Sequence, residues 1–129
     1  MTTEMQMLVW SLALGVAQLF VAALGMLGQR GPAWAASARD STPVPLTGVV
    51  ARLDRGSANF LETFVFFVAV VLAGHVLQRH SSTTVLGAQL YFWARLIYVP
   101  LYAFGIAYLR TLAWSASMVG IVLLLVPLF

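Results

Sequence analysis

Arg55–Leu77 reads RGSANFLETFVFFVAVVLAGHVL. From Phe60 onward it is an apolar run that carries one acidic residue, Glu62, and just before it stand Arg55 and Asn59. A run of this length and hydropathy predicts a membrane-spanning helix. A charged side chain at bilayer depth costs about 2.5–3.5 kcal/mol on insertion scales, so it needs a partner or a water-filled cavity. Arg55, Asn59 and Glu62 fall at i, i+4 and i+7 and therefore make one stripe on one helix face. Further along, Tyr91, Arg95, Tyr98 and Tyr102 fall at i, i+4, i+7 and i+11 within a second long run. Two such stripes predict a polar cavity between helices.

The composition agrees. Of 129 residues, 61% are hydrophobic and 9% charged, with a mean hydropathy of +0.92. Soluble domains carry about 25% charged residues. The chain is accordingly read as one integral membrane domain, residues 1–129. All seven basic residues are arginine, and the net charge of +3 with a pI near 10.0 follows from positive-inside topology. No basic run lies outside the apolar segments, which excludes a nucleic-acid surface. There is no cysteine and hence no thiol nucleophile. Met1–Gln6 lacks a basic start, so the first apolar run reads as a retained anchor.

Four apolar runs predict helices over residues 5–27, 47–78, 83–109 and 112–129, an all-α integral membrane four-helix bundle. Residues 28–46, with Gly31, Pro32, Pro43 and Pro45, read as a loop. Thr47 is placed to cap the second long helix, and Ser81 or Ser82 the third. Arg110-Thr111 reads as a tight turn that makes the last two helices antiparallel neighbours, and Pro100 should kink the third. Arg30, Arg39, Arg52, Arg55 and Arg110 gather on one side and Arg79 on the other. That bias puts the long first loop in the cytoplasm and both termini outside.

A guanidinium, an amide and a carboxylate on one face can bind a zwitterion: Glu62 takes an ammonium, Arg55 a carboxylate, and Asn59 bridges. The same stripe can equally be an internal Arg–Glu pair. Arg95, Tyr98 and Tyr102 suit a thiolate or enolate, with phenols donating and arginine supplying charge. Tyrosines at membrane interfaces are also ordinary packing residues. Arg110, read as the end of the third helix, is explained equally by the helix dipole and by topology, and Arg30 at the end of the first helix follows the same argument. His75 and His80 flank the outer turn with no carboxylate or thiolate partner in view, so no metal site is expected.

On these residues the chain resembles the MAPEG family, the membrane-associated proteins in eicosanoid and glutathione metabolism. The resemblance rests on Arg55-x-x-x-Asn59-x-x-Glu62, on Arg95-x-x-Tyr98-x-x-x-Tyr102, and on the following Arg110. It covers nearly the whole chain. Thr63 and Phe64 follow the glutamate where eukaryotic glutathione-using members have Tyr and then Pro. The Tyr102–Arg110 spacing is one residue off the catalytic pattern, and the variant looks like an uncharacterised bacterial branch. The resemblance implies a homotrimer in a bacterial inner membrane with glutathione as co-substrate in an inter-subunit cavity. It implies that Arg55, Asn59 and Glu62 bind the tripeptide's charged ends, that Tyr98 lines the site and Arg95 supports it, and that Arg30 reaches in from the neighbouring subunit. Tyr102 and Arg110 would serve the thiolate that attacks a lipophilic electrophile, in a transferase or peroxidase reaction. The alternative is a non-catalytic protein of the same fold that binds a lipid or serves as an accessory or scaffold subunit of a larger membrane complex.

Overall fold

The computed structural model describes all 129 residues and is helical throughout, with no strands. The elements are α1 (Thr3–Arg30), a one-turn helix α2 (Pro32–Ala36), α3 (Gly48–Val76), α4 (Ser82–Ala103), α5 (Ala107–Leu125) and a closing 3-10 turn (Val126–Leu128). Helices α1, α3 and α4 pack against one another, α3 touches α5, and α4 runs along α5. Thr3–Arg30, Gly48–Val76 and Ala107–Leu128 are long and apolar enough to cross a membrane. The expected third span falls short of that composition, because Gln89, Arg95, Pro100 and three tyrosines dilute α4.

The helices begin and end for local reasons. Thr2 accepts a hydrogen bond from the Met5 N–H and starts α1. Gly31, at φ +85°, stops it, and Pro32 opens α2 inside what was expected to be plain loop. Thr47 does not cap α3 through its side chain. Instead Gln29 grips its backbone, donating to the Thr47 carbonyl at 3.2 Å and accepting from its N–H at 3.0 Å. That clamp ties the end of α1 to the start of α3. Ser81 and Thr84 form a reciprocal capping box at α4.

The largest departure from the expected layout lies between α4 and α5. The helix expected over 83–109 ends at Ala103, and the one expected from 112 begins at Ala107. Gly105, at φ +73°, is the residue that can turn the chain there. Its N–H bonds to the Tyr102 carbonyl, and the Ile106 N–H bonds back to Leu101, which together make a Schellman ending. The tight turn is thus Phe104–Ile106, and Arg110-Thr111 lies inside the first turns of α5.

The core holds Phe60, Phe67, Val70, Val71, Tyr91 and Phe92, joined by Met7, Leu8 and Leu124. Tyr91 is fully buried, stacks on Phe67 at 4.0 Å between ring centroids, and shares a 3.0 Å hydrogen bond with Thr63. Its place in the second stripe is structural. Large apolar side chains such as Phe20, Leu24, Val65, Phe66 and Leu112 cover the outside, the surface pattern of a protein solvated by lipid. At the end opposite the arginine-rich one, buried Glu4 accepts a 2.6 Å hydrogen bond from Thr84 and lies 3.3 Å from Nδ1 of His80. The sequence had placed no carboxylate near that histidine. The pair bridges 76 residues of chain and pins the start of α1 to the α3–α4 turn.

Candidate functional site

Three arginines meet where the N-terminal ends of α3 and α5 adjoin the C-terminal end of α4. Arg52, Arg55, Tyr102, Gly105, Ala107 and Arg110 line a cleft of about 170 Å³. Arg55 donates from Nε to the Tyr102 hydroxyl at 3.2 Å. Since that oxygen already accepts, the phenolic proton is free to donate elsewhere. Arg110 places its guanidinium carbon 4.7 Å from the centroid of the Tyr102 ring, and Arg52 donates from Nη1 to the Ala103 carbonyl at 3.1 Å. No acidic side chain lines the cleft.

One layer deeper lies Arg95, at 1% exposure the most completely buried large polar side chain. Its Nη1 donates to Asn59 Oδ1 at 2.9 Å, and its guanidinium sits 4.1 Å from the Tyr98 ring centroid and 5.5 Å from that of Phe60. Nε and Nη2 have no partner. Tyr98 and Tyr102 are adjacent rungs, with ring centroids 5.5 Å apart. The two stripes therefore face each other as expected: Arg55 meets Tyr102 and Asn59 meets Arg95.

Two sequence readings need correcting. The internal Arg55–Glu62 pair does not form, for the only acid–base contact within 4 Å in the chain is Glu4 with His80. Glu62 instead stands exposed, midway along α3. Arg110 does not close a helix. It lies in the opening turns of α5, where the helix dipole opposes a cation by about 0.3–1 kcal/mol. The dipole that would explain an arginine at the end of α4 thus has the wrong sign here. Arg30, expected to serve a neighbouring subunit's site, stands outside the cleft of its own chain. Its Nε donates to the Val44 carbonyl at 2.8 Å, and its guanidinium carbon lies 5.1 Å from the Trp34 ring centroid.

Sequence reasoning missed Arg52 as a member of the site and counted it only toward topology. The signal was present: Arg52, Arg55, Asn59 and Glu62 continue one helical face at i, i+3, i+7 and i+10. What was not legible was that the α4–α5 turn would fold back onto it.

Uncompensated positive charge, a free phenolic proton and a buried guanidinium with open N–H groups can bind and stabilise an anion. The cleft is smaller than the roughly 300–1,000 Å³ of a typical small-molecule site, and so needs a further wall to enclose a ligand. Compared with known proteins, residues 7–129 match the model of the MAPEG family. No curated protein matches the chain.

Proposed function

This chain belongs to the MAPEG family, and from that membership and the cationic cleft we propose a membrane-bound glutathione-dependent transferase or peroxidase acting on lipophilic electrophiles. The observation that carries the reading is Arg110, a cation without an acidic partner, set at the wrong end of a helix for its own stability and directed at Tyr102. Members of this family generally use glutathione. Its thiol becomes a good nucleophile when an adjacent positive charge favours the thiolate.

In this reading Arg55 takes a glutathione carboxylate, Glu62 the ammonium, and Asn59, oriented by Arg95, bridges between them. Tyr98 walls the site. Tyr102, held by Arg55, donates its hydroxyl proton to the sulfur, and Arg110 supplies the charge. The thiol proton leaves to water. The thiolate then forms an S–C bond while the electrophile expels its leaving group, or while its double-bond electrons take up a proton. On a hydroperoxide the sulfur attacks oxygen and the O–O bond breaks. The alkoxide takes a proton from water and leaves as alcohol, and a second glutathione converts the sulfenic acid to disulfide and water.

Glu62 supports a homotrimer. An exposed carboxylate halfway along an apolar 29-residue helix cannot face lipid without a cost of several kcal/mol, and a neighbouring subunit would cover it and complete the undersized cleft. Arg30 reaches such a site only from another subunit. The arginine-rich end, with Arg30, Arg39, Arg52, Arg55 and Arg110, faces the cytoplasm of a bacterial inner membrane, and both termini lie outside. Native mass spectrometry in detergent should give a trimer; a monomer or a closed dimer contradicts this part.

Calorimetric titration of the detergent-purified protein with glutathione tests the main reading. Saturable binding is expected, together with near-ultraviolet thiolate absorbance at neutral pH. Glu62→Gln should weaken binding about tenfold, equivalent to ~1.4 kcal/mol. Absence of binding at millimolar glutathione overturns the reading. The Asn59–Arg95 bond favours the second reading, an accessory or lipid-binding protein, because it joins the two stripes without a ligand. Binding without any thiolate signal would select it.

A further inference from the structure

The cationic cleft has an apolar neighbour. Leu14, Ala17 and Val21 of α1, Leu53 of α3 and Val99 of α4 surround a cavity of about 150 Å³ within one protomer. Arg52 and Tyr102 line both this cavity and the cleft. The two spaces therefore meet at the same two side chains, one space greasy and the other positive.

We infer that the α1/α3/α4 cavity is a binding site for a small lipophilic carboxylate, its apolar group seated among Leu14, Val21, Leu53 and Val99 and its anionic head held by Arg52. A dry cavity of roughly this volume takes up a benzene-sized molecule. That size suits an aryl or short alkyl group. Arg52 is prepared for the head group. Nη1 is anchored on the Ala103 carbonyl at 3.1 Å, which fixes the guanidinium plane, while Nε and Nη2 are left without a protein partner. Two N–H groups on one guanidinium edge match the two oxygens of a carboxylate. No acidic residue lines either space, so nothing in the protomer neutralises the charge. Gln18 is the remaining long polar side chain in the cavity, and its Nε2 is turned back to the Leu14 carbonyl at 3.4 Å.

Such a ligand would lie with its head beside Tyr102, one side chain away from where the functional reading places the thiolate. It is thus positioned as the electrophilic co-substrate. Only that role rests on the functional reading; the binding itself does not.

The test uses the full chain in detergent without glutathione, with para-fluorobenzoate as probe and fluorine NMR as readout. Wild type should bind it saturably, and at least tenfold more tightly than the neutral para-fluorobenzyl alcohol. Arg52→Gln should remove that preference, Arg52→Lys should retain most of it, and Ala17→Leu, which fills the cavity from α1, should weaken both probes at least tenfold. Circular dichroism melts check that each variant folds. Absence of saturable binding by wild type, or equal affinity for acid and alcohol, overturns the inference, and neither result needs a variant to fold. Arg52→Gln binding the acid as wild type does would also overturn it. Because no thiol is present, a failed glutathione titration leaves this result standing, and a failure here leaves glutathione binding untouched.

Discussion

Arg110→Ala is expected to abolish the thiolate absorbance of bound glutathione and to lower kcat/KM by about 10²–10³-fold, the range seen when one pre-placed electrostatic donor is removed from an active site. Glutathione affinity should change only a few-fold, because Arg55, Asn59 and Glu62 are assigned the tripeptide's charged ends. The fold should not suffer. A cation in the opening turns of α5 is opposed by the helix dipole, so its removal should leave the melting temperature unchanged or slightly raised. That combination, lost chemistry with undiminished stability, separates a functional arginine from a structural one. Stopped-flow absorbance on the purified variant, beside a thermal melt, reads both quantities. Thiolate absorbance that survives the substitution would show that Arg110 does not serve the sulfur.

A second large effect is expected where α4 crosses α5. A Cβ at Gly87 would come to 2.6 Å from the Gly120 carbonyl oxygen, and one at Gly120 would meet the Gly87 carbonyl at the same distance. Both obstacles are backbone, so no rotamer change relieves them and the helices must move apart. Close approach through small residues is the means by which membrane helices pack, since lipid is as apolar as leucine and offers no hydrophobic gain on association. Gly87→Val or Gly120→Val should therefore destabilise the protein by about 3 kcal/mol or more, at the upper end of overpacking costs, and should separate α4 from α5. Gly28→Ala serves as the contrast. Nothing lies within 4 Å of that position in α1, and alanine should add up to ~1 kcal/mol through helix propensity. Reversible unfolding in mixed micelles would measure all three, and wild-type stability in Gly120→Val would refute the packing argument.

The crossing also bears on the site. It holds α4 against α5, and so holds Tyr102 on one helix against Arg110 on the next. A Gly120 variant that folds loosely should lose thiolate stabilisation together with stability, whereas Arg110→Ala loses only the former.

The sequence by itself determined the membrane character, the helical class and the two polar stripes. Those are local properties: length and hydropathy mark a helix that lipid can solvate, and a period of 3.6 puts Arg55, Asn59 and Glu62, or Arg95, Tyr98 and Tyr102, on one face without reference to any other part of the chain. The family pattern was legible for the same reason. Local signals also narrowed the α4 cap to Ser81 or Ser82, but did not find the α4–α5 boundary. There a Schellman ending at Gly105 competed with an apolar run that continued past it, and the hydrogen bonds back to Leu101 and Tyr102 ended the helix. That shift of a few residues moved Arg110 from the end of one helix to the start of the next and inverted the electrostatic argument about it. Tertiary structure alone decided which charges find partners. Arg55 turned to Tyr102 instead of Glu62, Arg95 to Asn59, Arg30 to Val44 and Trp34, and Glu4 to a histidine in the α3–α4 turn. Such pairings depend on how helices distant in sequence are rotated and set against one another, and the periodicity of a single helix carries no information about its neighbour's register.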